Sequence, residues 1–141
     1  MGWSIEHAAR SAASPHAIWR RYVDVEHWRD WSRQGVECSS INGPFEVGTK
    51  GKSKAPGLPS SVFELVAVEP DVRFVSEVKM PGAALRFEHV IEPSEHGSLI
   101  THRVGLDGPL AFLYTPFLRK RIERGLGDGV DRLATMAAAD G

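Results

Sequence analysis

Two histidines carry the most chemistry in this 141-residue chain, and both stand in rows of apolar residues. Leu85-Arg86-Phe87-Glu88-His89-Val90-Ile91 and Leu99-Ile100-Thr101-His102-Arg103-Val104-Gly105-Leu106 both alternate. Successive side chains on a strand point to opposite faces, so His89 shares a face with Leu85, Phe87 and Ile91. By the same period His102 joins Ile100, Val104 and Leu106. The polar run Glu92-Pro93-Ser94-Glu95-His96-Gly97-Ser98 between the two segments is turn-forming, which predicts a long antiparallel hairpin. Facing both apolar rows toward one core sets the imidazoles opposite each other or one step diagonal.

A buried polar group without a partner costs about 1–3 kcal/mol, so the pair demands an explanation. A water, a hydroxyl or the other imidazole would satisfy each ring. The alternative is a polar spot in a pre-formed apolar pocket that orients a small molecule. Desolvation disfavours the charged imidazole and leaves a neutral base near neutral pH. Proton abstraction beside a carbonyl would then use His89 or His102 as base and the other as orienting donor. Alternation disfavours a metal site made with Glu64 or Glu88, because Glu88 faces away from His89 and two imidazoles alone hold a metal poorly. No metal and no cofactor is expected. Phosphate-cradling glycine loops, metalloprotease helices and serine-hydrolase elbows are absent from the sequence.

The elements that must position these residues follow from the rest of the chain. Trp3, Ile5 and His7 share one face of a first strand. Ser14-Pro15 supplies a capping hydroxyl and a proline at a helix start, and the helix runs to about Val23 with Ile18, Trp19, Tyr22 and Val23 on one side. Asp24 can cap a second short helix whose Val25, Trp28 and Trp31 share a face, a lid over the core. From Val36 onward the chain predicts strand after strand. Val36 to Ile41 comes first, followed by the lysine-rich Gly48 to Lys54. The loop Ala55-Pro56-Gly57-Leu58-Pro59 leads to Ser61 to Val68, then Val72 to Val78 and the hairpin. Lys50, Lys52 and Lys54 on one face mark an exposed strand protected against edge-to-edge pairing. Thr115-Pro116 repeats the hydroxyl-proline start, so Leu110 to Tyr114 is expected to be a connector. Phe117, Leu118, Ile122, Leu126, Val130, Leu133 and Met136 then recur at helical spacing. Gly125, Gly127 and Gly129 inside that helix predict a kink, or a place where bulk is kept from something beneath.

Length bounds the chain to one domain, 1–141. Lys and Arg number 17 against 18 acidic residues, which gives no reason to expect nucleic acid or an anionic membrane as a partner. No apolar run reaches bilayer-spanning length and no signal-peptide pattern opens the chain, so a cytoplasmic location without stable membrane insertion is expected. The lone Cys38 excludes an internal disulfide. Consecutive strands with segregated helices define an α+β class: a curved antiparallel sheet of about six or seven strands wrapped around a long C-terminal helix, with two short helices after the first strand.

Ser14-Pro15, Trp19, Asp24-Val25-Glu26, Trp28 and Trp31, in this order of elements, resemble the START-like helix-grip (SRPBCC) superfamily. More narrowly the chain is similar to the branch of polyketide cyclases/dehydratases and lipid transport proteins. Gly43-Pro44-Phe45, Gly48-Thr49, the Phe87-Glu88-His89 to Thr101-His102 hairpin and Gly108-Pro109-Leu110-Ala111 extend the likeness over essentially the whole chain. The resemblance implies a deep apolar cavity between sheet and last helix that takes a lipid, polyketide or similar hydrophobe. Phe63, Leu65, Phe74, Leu85, Phe87, Phe117 and Ile122 are the expected wall, with Trp28 as lid and His89 with His102 as polar anchor. Binding of a small hydrophobic molecule by a monomer or homodimer is the expected function. A cyclase/dehydratase-type enzyme with the cavity histidines as acid and base is the alternative. Interaction with a protein, seen in some relatives of the fold, would call for an exposed apolar patch instead.

Overall fold

The alternating segments pair as antiparallel neighbours in one seven-stranded sheet, in a computed structural model that describes residues 2–32, 38–54 and 60–140. Its strands are β1 (Trp3–Ser11), β2 (Cys38–Ile41), β3 (Lys50–Lys54), β4 (Ser61–Glu69), β5 (Arg73–Met80), β6 (Ala83–Ser94) and β7 (Gly97–Asp107). Helix α1 (Pro15–Val23) and a 3-10 helix (Val25–Asp30) follow β1, and α2 (Ala111–Asp140) closes the chain. The sheet order is β1-β7-β6-β5-β4-β3-β2, so every neighbouring pair except β1 and β7 is consecutive in sequence. A bulge between Leu65 and Ala67 shifts the β4–β5 register, which bends and twists the strand there. The stretch 33–37 that would begin the expected strand at Val36, the side chain of Cys38 and the loop Ala55 to Pro59 lie outside the described residues.

Ser14 caps α1 as expected, its hydroxyl accepting from the Ala17 amide with Pro15 in the first turn. The start of the last helix corrects the sequence expectation. Leu110 to Tyr114 is not a connector: α2 begins at Ala111 and runs through Pro116. Proline lacks the N–H that would reach the Phe112 carbonyl, but Phe112 is exposed and water can serve that oxygen. Thr115 is used differently from a cap. Its hydroxyl donates to the Ala111 carbonyl and accepts from the Trp3 indole N–H at 2.8 Å, tying α2 to β1.

Two of the mid-helix glycines have a packing reason. A Cβ on Gly127 would stand 3.2 Å from the His7 imidazole, and one on Gly129 3.3 Å from the Trp31 carbonyl oxygen. The backbone of α2 thus lies close against β1 and against the end of the 3-10 helix. On β3, Gly51 leaves room for the Phe63 ring, which explains a small residue among the three lysines. Lys50 and Lys52 are exposed there, as expected of a strand near a sheet edge.

The buried residues fall into two clusters. The larger gathers Ile18, Tyr22, Trp28, Trp31, Phe63, Leu65, Phe74, Ile100, Val130 and Leu133. The smaller holds Leu85, Val104, Leu106 and Ala111. Helix α2 packs chiefly over β1 and β7 and touches α1 near its end, where Arg21 donates two hydrogen bonds of 2.7 Å to Asp140.

Candidate functional site

His89 and His102 are direct cross-strand partners, the closer of the two arrangements the sequence allowed. Their ring centroids are 4.6 Å apart and the planes meet at 76°. The row continues on both sides, with His7 opposite His102 on β1 and Phe74 opposite His89 on β5. His89 lies flat on Phe74, centroids 4.0 Å apart and planes within 6°. His102 is buried, while His89 keeps part of its surface accessible.

Tyr22 completes the arrangement. It is fully buried, and its hydroxyl lies 2.8 Å from His102 Nε2. His89 Nδ1–H donates a long bond of 3.4 Å to the Phe74 carbonyl. That assigns the remaining nitrogen, Nε2, as an acceptor. Trp31 packs over both imidazoles, with centroids 5.7 Å from His102 and 6.4 Å from His89. Its indole N–H is buried and has no hydrogen-bond partner among the described residues. The site therefore holds an unserved indole donor on Trp31 and an accepting nitrogen on His89.

Burial sets the protonation of all three groups. Desolvation pulls His89 from 6.5 down to about 3 against a smaller opposing effect of the Phe74 carbonyl. His102 falls well below its ordinary value through burial, with the neighbouring His89 and His7 acting the same way. Tyr22 is pushed well above 10, also by burial. Near neutral pH the site holds two uncharged imidazoles and an intact phenol.

The expected wall residues divide. Phe63, Phe74 and Trp28 are buried together in the larger cluster, where Trp28 stacks on Phe74 at 5.8 Å and donates its N–H to the Tyr22 carbonyl. Leu85 is buried in the smaller cluster, with Phe87 and Ile122 packed against it. Phe117 is misplaced by the sequence argument: it is 78 % exposed, on the outer side of α2, and lines no interior space. Glu88 stands on the opposite face from His89, near Arg73 and Arg103 at 3.6 and 3.5 Å, so it does not join the imidazoles.

Several inward-facing residues around the smaller cluster are only partly covered. Val78, Phe87 and His89 on the sheet and Ile122 and Leu126 on α2 all keep accessible surface. Two shallow depressions elsewhere, one by Ser4, Arg86 and Gly105 and one by Arg10 and Thr135, do not touch the histidines. Sequence reasoning missed Tyr22 and the Trp31 N–H as site groups. Tyr22 was visible as an apolar-face residue of α1, and a phenol on a buried face needs a partner; the partner's identity is set by the tertiary packing alone.

A curved antiparallel sheet against a long C-terminal helix, with polar groups held on the inner face, defines a helix-grip domain. The chain belongs to the polyketide cyclase / dehydrase and lipid transport family, whose model matches residues 2–138. No curated protein matches it in sequence. Norcoclaurine synthase from Thalictrum flavum, in complex with dopamine and hydroxybenzaldehyde, superposes with a TM-score of 0.75 at 16 % identity, covering 100 % of this chain and 89 % of that one. A structural-genomics protein from Nitrosomonas europaea gives 0.72 at 14 % identity over 98 % and 96 % of the two chains. Ara h 8.0201 gives 0.67 at 14 % identity over 99 % of each. These likenesses establish a shared fold.

Proposed function

We propose that the protein binds a small hydrophobic molecule with a polar end in the space between its two core clusters. The observation that carries this reading is the incomplete cover over Val78, Phe87, His89, Ile122 and Leu126, all of which point inward. A core built only for stability would close over such residues. The apolar part of the ligand lies against Phe87, Ile122 and Leu126. Its polar end meets His89 Nε2 as acceptor and the Trp31 N–H as donor, which suits a molecule bearing a hydroxyl and a carbonyl oxygen. The family includes lipid transport, and the structural neighbour from Thalictrum flavum holds small aromatic molecules on the same fold. A cytoplasmic monomer or homodimer belongs to the same proposal.

Catalysis of the cyclase or dehydratase type fits less well. General-base efficiency peaks when the base titrates near the working pH, and His89 lies at about 3. Neutral imidazoles that depressed suit hydrogen bonding better than proton abstraction.

Mass spectrometry of an organic extract of the purified protein tests the reading, beside a His89→Leu, His102→Leu double variant of unchanged fold. A stoichiometric hydrophobe in the wild type that is missing from the variant is the expected result. A wild type that carries nothing, and that shows no saturable uptake of hydroxylated aromatic or fatty probes, ends it.

A further inference from the structure

The first turns of α2 expose apolar surface that the core does not use. Phe112, Leu113 and Phe117 are 67 %, 52 % and 78 % exposed, and Pro116 beside them is exposed as well. Steps of four, three and four place Leu113, Phe117, Lys120 and Arg124 on one helix face. Lys120 and Arg124 are exposed and make no ion pair among the described residues, whereas Arg119 is held by Glu123 and lies over the Trp3 ring. The stretch 111–124 contains four cations and one anion in a chain whose formal net charge is -1.

This end of the helix is held firmly. The Tyr114 hydroxyl donates to the Pro81 carbonyl at 2.8 Å and the Leu110 amide to the Gly82 carbonyl at 2.9 Å. Gly82, at φ +74, has no room for a side chain beside Leu110. The β5–β6 turn thus buttresses an apolar tip.

We propose that this tip docks on an anionic membrane surface, with Phe112, Leu113 and Phe117 entering the acyl boundary and Lys120 and Arg124 meeting the headgroups. A helix rises 1.5 Å per residue, so Lys120 lies about 5 Å and Arg124 about 10 Å behind Phe117 along the axis. Interfacial elements bury their apolar face to about that depth. Charge selects this occupant over a second copy of the chain. Lys120 and Arg124, without an ion pair among the described residues, complement anionic headgroups, whereas a parallel two-fold contact would set them against their own copies. The inference stands apart from what the space between the core clusters binds.

Flotation of the full-length chain with two kinds of vesicle tests it: phosphatidylcholine alone, and phosphatidylcholine with about a quarter phosphatidylserine. Binding is expected to the second kind only, and to weaken steeply between about 0.1 and 0.5 M salt as screening shortens. Phe112→Ser with Phe117→Ser, checked for an unchanged melting curve, should lower the partition coefficient at least ~tenfold. Lys120→Gln with Arg124→Gln should remove the preference for the anionic vesicle. No flotation with either vesicle, or equal flotation with both, overturns the proposal. So does a concentration-dependent dimer that the phenylalanine variant abolishes while no vesicle is bound, which would give the patch to a second copy.

Discussion

His102 is enclosed by Tyr22, Trp31 and His89, and that enclosure links its protonation to folding. Its folded-state pKa lies well below the unfolded value, as does that of His89 at about 3. Between those values and about 6.5 the unfolded chain binds protons that the folded chain refuses. The stability these neutral rings contribute is therefore complete above about pH 7 and is lost as pH falls through 6.5, each ring at up to about 1.4 kcal/mol per pH unit. Urea unfolding at a series of pH values from about 7 to about 5 should show this slope, and His102→Gln should reduce it by close to one proton. An unchanged slope in that variant would mean that other groups govern the acid limb.

At the scale of elements, the glycines of α2 separate two kinds of close approach. Gly127 faces the half-exposed His7 side chain, which can give way. Gly127→Ala is expected to be neutral or to stabilise by up to about 1 kcal/mol through helix propensity, read from the urea midpoint. Gly129 faces the Trp31 backbone carbonyl, and that carbonyl cannot move without moving the indole packed over the histidines. Gly129→Ala should forfeit the propensity gain or destabilise; if both variants gain alike, the contact with Trp31 has no energetic weight. The same helix shows what periodicity reveals and what it hides. The apolar spacing from Ile122 to Met136 announced α2, and the hairpin alternation announced the facing histidines, because both patterns arise from which face is buried. Its true start was hidden: Thr115-Pro116 has the chemistry of a helix start, yet the helix passes through the proline at a point where Phe112, whose carbonyl loses its partner, lies at the surface. Phe117 was misassigned for a related reason, since an aromatic at helical spacing carries no mark of which side the helix turns outward.

For the molecule as a whole, the sheet order grades stability from centre to edge. β5, β6 and β7 have partners on both sides, while β2 has a partner on one side only and four residues. Amide exchange should be slowest in β6 and β7 near Leu85, Ile100 and Val104 and fastest among the described strands in β2. Equal protection across the sheet would point to a single cooperative unit with no local opening.

The divided core bears on how such a protein can change over generations. Ile18, Phe74 and Leu133 on one side of the divide, and Leu85 and Leu106 on the other, are buried, and Val78, Phe87, Ile122 and Leu126 pack against the second group. Each of these four stands partly uncovered, so changes of size there should cost less than at the fully buried positions. On the proposed ligand site, these four positions are where a library for altered ligand preference would be built with the least damage to the scaffold.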